Sequence, residues 1–228
     1  MLGEPTVNAK TYIAVLAWIM AVATALPAAT DAQTAKEYQL KAAFLFNFIS
    51  FVDGDRFNLS PEEEKADKTK PPIVIGIVGK DPFGNAFDLL KGKEVRDRPV
   101  LVKRFKPMEE LKDNDGHIPQ VRPDLQAIKA CHVLFICASE EDHLKTLLQP
   151  LRTYTLLTVG DVPGFLEAGG MIDFVIEDKK VRFDINSSAA ARAKLEIRSK
   201  LLRLARTVKS DIPEEGGDGE KPAPANDK

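Results

Sequence analysis

The sequence contains few of the side chains that bind metals or attack substrates. It has only three histidines in 228 residues, and none lies four residues from another, as a helical metal site would need. The serine-nucleophile patterns G-x-S-x-G and S-x-x-K are absent. So are the phosphate-binding patterns G-x-x-x-x-G-K-[ST] and G-x-G-x-x-G. We therefore expect a protein that is not an enzyme and has no catalytic residue, metal or cofactor.

Cysteine is also scarce, because the chain has only Cys131 and Cys137. The two residues frame the run CHVLFIC, which predicts a buried strand in which His132 is a hydrogen-bonded residue and not a metal ligand. Six residues of strand span about 20 Å, whereas the Cα atoms of a disulfide lie about 4.4 to 6.8 Å apart. We favour two small buried side chains. A redox or disulfide pair is the alternative, and it requires a shorter strand.

Basic residues are not concentrated anywhere along the chain. No segment combines lysine and arginine with interleaved aromatic residues, as a nucleic-acid-binding groove requires, and the formal net charge is -2. Apolar residues make up 44% of the chain and charged residues 29%, which is typical of a globular domain in water. We therefore expect one folded domain that does not bind nucleic acid.

The first residues differ from everything that follows. Residues 11–29, TYIAVLAWIMAVATALPAA, carry no charge, follow Lys10 and lead into small residues. This order predicts a secretory signal peptide over residues 1–32, cut after Ala32 or Ala25. An uncleaved membrane anchor is the alternative, because the apolar run is nearly long enough to span a bilayer. Both interpretations place the domain, residues 33–210, outside the cytoplasm.

Strand and helix patterns alternate through the middle of the chain. Continuous apolar or β-branched runs predict strands at residues 73–78, 100–105, 132–136 and 156–159. The aromatic-rich residues 37–52 have the length and composition of a buried helix, and other helical patterns separate the strands. We therefore predict a single α/β domain with a mixed, mostly parallel sheet flanked by helices.

The end of the domain changes pattern. MIDFVIEDKKVRFDIN predicts a β-hairpin that turns at Asp178 and Lys179. The next segment, NSSAAARAKLEIRSKLLRLARTV, begins with capping residues at Asn186 and has an apolar stripe at helical spacing. We predict one long C-terminal helix over residues 186–208. Residues 211–228, rich in glycine, proline and acid, are expected to form a disordered acidic tail.

The stretch TVGDVPGFLEAGGMIDF, residues 158–174, has the composition of an active-site loop. Asp161, Glu167 and Asp173 would form an acid/base set only if burial shifted their pKa values, and nothing in the sequence indicates such burial. Its glycines do not follow a phosphate-binding pattern. We interpret the stretch as a turn between two strands.

The glycines of this turn are expected to punctuate the backbone. Gly160 ends a strand, Pro163 begins a short helix, and Gly169 and Gly170 end that helix before the hairpin.

Four segments of the chain carry a family likeness. They are EYQLKAAFLFNFISFVD, IVIGIVGKDPFG, CHVLFICASEE and the long block from LLTVGDVPGFLEAGGMIDF to KLLRLA. They resemble the YfiR-like family of small periplasmic bacterial proteins over about residues 37–206. The family's signature turn contains Gly160, Asp161, Gly169 and Gly170.

The resemblance implies a periplasmic regulator. The best-understood members bind the periplasmic sensor region of an inner-membrane diguanylate cyclase, hold the cyclase inactive, and so lower cyclic di-GMP and biofilm formation. An outer-membrane OmpA-like lipoprotein can titrate them away. We predict a repressor of this kind, with a homodimer as a further expectation.

Two features depart from the family pattern. Members often follow the first helix with an aromatic residue and a proline, whereas this chain has Asp53-Gly54-Asp55, and its cysteines are reduced to two. The alternative function is a periplasmic small-molecule binding module. Its crevice would lie where residues 79–84 and 160–164 follow neighbouring strands.

Overall fold

The computed structural model describes residues 27–65 and 70–210. Most of the predicted signal peptide and the whole predicted tail, residues 211–228, lie outside these ranges. The first helix, α1, covers Pro27–Phe48 and so runs across Ala32. Cleavage after Ala32 would shorten this helix, whereas cleavage after Ala25 would leave it whole.

The strands and helices are short after α1. The strands are β1 (Val52–Asp53), β2 (Ile73–Val78), β3 (Glu94–Val95), β4 (Arg98–Phe105), β5 (Val133–Ile136), β6 (Leu157–Gly160), β7 (Ile172–Glu177), β8 (Lys180–Asn186), β9 (Glu196–Ile197) and β10 (Val208–Lys209). The further α-helices are α2 (Pro61–Lys65), α3 (Leu125–Lys129), α4 (Leu144–Leu148), α5 (Ser187–Arg192) and α6 (Ser199–Leu202). Short 3₁₀ turns cover Ile49–Phe51, Ala86–Leu90, Met108–Leu111, Ala138–His143 and Gln149–Leu151.

The main sheet has eight strands in the order β10-β8-β7-β6-β5-β2-β4-β3. Its five central strands, from β4 to β7, are parallel. Strand β3 pairs with β4, and β8 pairs with β7, in antiparallel fashion. The predicted mixed, mostly parallel sheet is therefore confirmed.

The predicted hairpin is confirmed as the pair β7 and β8. Its two turn residues, Asp178 and Lys179, both have positive φ angles, of 48° and 61°. Two successive residues in this left-handed region match the type I′ turn, whose twist suits a two-residue hairpin.

Two apolar clusters pack on opposite faces of the sheet. The first cluster lies under α1 and includes Leu45, Phe48, Ile75 and Phe135. The second lies under α3 and α4 and includes Val78, Leu134, Leu147 and Phe165. Alternate residues along β5 belong to opposite clusters, as the pleat of a strand requires.

The prediction of one long C-terminal helix is wrong. Helix α5 ends at Arg192, Lys194 takes a left-handed φ of 57°, and residues 196–197 form β9. Strand β9 pairs with β1, which directly follows the first helical region. Long-range pairing to β1 therefore overrides the local helical preference of this segment.

Asp53, the first residue of the Asp53-Gly54-Asp55 segment, binds two arginines. Its carboxylate accepts hydrogen bonds from Arg198, at 2.6 and 2.9 Å, and from Arg96, at 3.0 Å. A Cβ atom on Gly54 would lie 2.7 Å from the Leu195 side chain, too close for any other residue without movement. We call Asp53, Gly54 and Arg198 with strands β1 and β9 the terminal clasp, because they join the two ends of the domain.

Candidate functional site

The signature turn, residues 160–170, is organised around the ring of Phe165. This ring is fully buried. A Cβ atom would lie 2.7 Å from the ring at Gly160 and 2.2 Å from it at Gly170. Both positions therefore require glycine because the ring occupies the space of a side chain.

Other glycines of the turn serve its backbone. Gly164 and Gly169 have φ angles of 74° and 104°, in the left-handed region that favours glycine. The amide of Gly170 donates to the carbonyl of Phe165 at 2.9 Å and closes the turn. Successive turns thus occupy the place of the short helix predicted from Pro163.

Asp161 connects the signature turn to α1. Its Oδ2 atom accepts a hydrogen bond from the Tyr38 hydroxyl at 2.8 Å and from Lys41 Nζ at 2.7 Å. The side chains of Lys41 and Asp161 are only 4% and 6% exposed. We call these three residues the helix-turn tie. Sequence reasoning placed Asp161 in the signature but missed both partners, since they lie about 120 positions away.

Lys41 of the helix-turn tie makes two further electrostatic contacts. Lys41 also pairs with Glu37 one turn earlier on α1, at 2.6 Å, and its Nζ lies 4.4 Å from the centre of the Tyr38 ring. Burial and the charge of Asp161 raise the pKa of Tyr38, so its hydroxyl stays protonated and acts as a donor. Within the described residues, Oδ1 of Asp161 is buried without a partner.

Asp173 lies near the start of β7, close to the signature turn. It pairs with Gly160, the last residue of β6. Burial, followed by the charges of Asp161, Asp184 and Glu167, raises its pKa to about 7. The expectation that no burial shifts these carboxyl groups is therefore wrong for Asp173. The sequence does not show this shift, because both the burial of Asp173 and the placement of Asp184 opposite it arise from the fold.

The three carboxyl groups of the turn do not form one acid/base set. Asp161 accepts a hydrogen bond from Lys41 of α1, and Glu167 forms an ion pair with Lys209 at the surface. Asp173 is a residue of strand β7. Among the described residues, the one group with metal-ligand spacing consists of the exposed residues Asp113, Asp115 and His117. Backbone amides of residues 115 and 117 already donate to Asp113.

His132 is hydrogen-bonded as predicted, but it lies directly before β5 and not within the strand. Its Nδ1 accepts from the Val74 amide at 3.1 Å, and Nε2 lies 3.2 Å from Arg98. Burial and the charges of Arg56 and Arg98 lower its pKa to about 4, which keeps the ring neutral at pH 7.

The two cysteines are not brought together. Both are free and buried, with Cys131 in the cluster under α3 and α4 and Cys137 in the cluster under α1. The sheet therefore separates the two thiols. Burial raises the pKa of Cys131 to about 11 and also raises that of Cys137, so neither thiol is activated as a nucleophile.

Aromatic side chains occupy the crevice predicted between residues 79–84 and 160–164. Phe83 packs edge-on against Phe135 at 4.8 Å between ring centres and against Tyr38 at 5.2 Å. Tyr38 in turn binds Asp161. The strand ends are thus closed by α1, and a small-molecule site in this place is not supported.

The fold and its signature turn define a small α/β domain in which Tyr38 and Lys41 of α1 bind Asp161 of the turn. The chain belongs to the YfiR/HmsC-like family, whose model matches residues 38–206. The family resemblance predicted from the sequence is therefore confirmed. Proteins of this family are periplasmic, regulatory and non-catalytic, and they associate with the periplasmic region of a membrane signalling protein.

Comparisons with solved structures and with curated proteins give no further information about function. A crystal structure of a conserved domain protein from Vibrio cholerae is 12% identical, with a TM-score of 0.40. The match covers 67% of this chain and 61% of that chain. A comparison with curated proteins gives no match. Within residues 27–65 and 70–210, no helix has both the length and the apolar character needed to cross a bilayer.

Proposed function

We propose that the protein binds the periplasmic sensor region of an inner-membrane diguanylate cyclase and represses it, which lowers cyclic di-GMP signalling and biofilm formation. Family membership over residues 38–206 is the observation that carries this proposal. The helix-turn tie supports it, because its charged groups hold two elements together and are not open to a substrate. The protein would act by stabilising one conformation of its partner.

The exposed side of α1 is the partner surface that we propose. Lys36, Leu40 and Asn47 recur at helical spacing on this side, and Leu40 is 46% exposed although it is apolar. The opposite side of α1 contributes Tyr38 and Lys41 to the tie. A partner that displaced α1 would have to break a buried ion pair, so docking is expected to leave the helix in place.

Deletion and complementation test this proposal. Deletion should raise cellular cyclic di-GMP, and the wild-type gene should restore the lower level. Leu40→Asp should fail to restore it, because a charge would enter the interface. Leu204→Asp is the matched control, since Leu204 is an exposed leucine on the C-terminal segment. Unchanged cyclic di-GMP on deletion, with no diguanylate cyclase captured from membranes, would contradict the proposal.

The proposal also includes an OmpA-like lipoprotein as a competitor, a homodimer and a cleaved signal peptide, and each has its own measurement. An OmpA-like lipoprotein should compete with the cyclase for the purified protein in a binding assay. Light scattering should give the mass of a homodimer. Mass spectrometry of the exported protein should show an N-terminus after Ala25 or Ala32, as expected for a cleaved signal peptide.

A further inference from the structure

A cavity of about 480 Å³ lies on the sheet face opposite α1. Val78 and Leu134 form its floor on strands β2 and β5, and Ile128 and Leu147 form its walls on α3 and α4. Its volume falls within the range of about 300 to 1,000 Å³ that is usual for small-molecule sites. The apolar walls would accommodate a compact hydrophobic body.

Arg122 supplies a charged group to this apolar cavity. Its side chain lines the cavity and is only 3% exposed. Nε donates to Asp124 at 2.8 Å, and Nη2 donates to Asp124 at 2.9 Å and to the Lys106 carbonyl at 2.8 Å. Nη1 is buried and has no hydrogen-bond partner among the described residues. One guanidinium nitrogen is thus held in place with its donor capacity unused.

The chemistry of this nitrogen indicates what would bind. A buried charged donor without an acceptor is costly, and a carboxylate oxygen satisfies a guanidinium better than a neutral oxygen does. The cavity lining itself includes no Asp or Glu, and Asp124 binds Nε and Nη2 of Arg122, which leaves Nη1 as the nitrogen for a ligand. Thr146, Gln120 and Gln149 add polar groups to the lining. An apolar molecule with one carboxylate matches all of these features.

We propose that this cavity binds a small carboxylic acid whose carboxylate accepts a hydrogen bond from Arg122 Nη1 and whose apolar body lies between Ile128, Leu134 and Leu147. The site is separate from α1 and the signature turn. It would add ligand sensing to the protein, whether or not the proposed cyclase is the partner.

Isothermal titration of the full chain with three eight-carbon probes tests the proposal. Octanoate should bind at one saturable site, about tenfold more tightly than octanol, because only octanoate adds a charge-assisted hydrogen bond. Octylamine should bind more weakly than either, because its cation would face Arg122. Failure of octanoate to bind, or equal binding of octanoate and octanol, would overturn the proposal.

Two variants locate the site. Arg122→Gln should abolish the preference for octanoate over octanol, whereas Arg104→Gln, which changes an exposed arginine paired with Asp81, should keep it. Thr146→Phe introduces a ring from an exposed lining position and should weaken both probes at least tenfold without touching the core. If Arg122→Gln fails to fold by circular dichroism, Thr146→Phe decides. Unchanged octanoate affinity in that variant would exclude this cavity.

Discussion

The two faces of the sheet are closed in different ways. Under α1, phenylalanine rings of the helix and the hairpin pack at 5.1 to 5.9 Å between centres, and the helix-turn tie fixes the helix at the sheet edge. On the opposite face, the short helices α3 and α4 leave a cavity of about 480 Å³. A single long helix with large side chains thus seals one face, whereas several short elements leave room on the other.

Lys41→Met should have the largest effect, because it removes the cation of the tie and leaves Asp161 charged and buried. We expect a loss of about 4 kcal/mol in the free energy of unfolding, measured by urea denaturation. Adding Asp161→Asn should recover most of this loss, since the unpaired charge is then gone. A loss below about 1 kcal/mol would show that the tie does not fix α1.

Truncation of one leucine on each face compares the packing directly. Leu45→Ala, fully buried under α1, should cost about 3 kcal/mol of unfolding free energy. Leu147→Ala should cost about 2 kcal/mol, because Leu147 borders the cavity and has fewer packing partners to lose. Equal costs in urea denaturation would contradict the difference in packing.

Gly170→Ala tests how tightly the signature turn packs around Phe165, which lies on the same face of the sheet as the cavity. The new Cβ would meet the Phe165 ring, and we expect a cost of about 2 kcal/mol in the urea unfolding free energy. Combining it with Phe165→Leu should reduce the added cost. Gly84→Ala is the control, because its Cβ meets nothing within 4 Å and only its φ of 53° is unfavourable. A similar cost at both positions would argue against crowding by the ring.

Asp173→Asn should have an effect that changes with pH. The folded-state pKa of about 7 lies above the ordinary value of 3.8, so the folded state binds more protons between these values. Wild-type stability should therefore fall as pH rises through this window. The variant lacks this loss, so its stability relative to wild type should increase from pH 5 to pH 8 in parallel urea titrations. A constant difference would show that Asp173 does not titrate near pH 7.

The sequence was sufficient to predict the central sheet and the hairpin. Runs such as residues 73–78 are apolar because they are buried on both faces, and that composition is visible without any partner. The segment after Asn186 could not be predicted in the same way. Its helical stripe is genuine as far as Arg192, but its later residues pair with β1, some 145 positions earlier.

The candidate site was predictable only in part. Gly160, Asp161, Gly169 and Gly170 could be assigned to one turn, because turn glycines are a local signal. The roles of Phe165 and Lys41 depend on distances across the fold. The cavity beside Arg122 has no sequence signal at all, because it arises from how α3 and α4 meet over the sheet.

The terminal clasp also constrains the order in which the domain can fold. Asp53 and Arg198 are separated by 145 positions, so their contact forms only after a large loop has closed. A chain that emerges with its N-terminus first cannot pair β1 with β9 until almost the whole domain is available. Strand β1 therefore stays without its partner until late in chain emergence, and a chain truncated before residue 196 would leave it so.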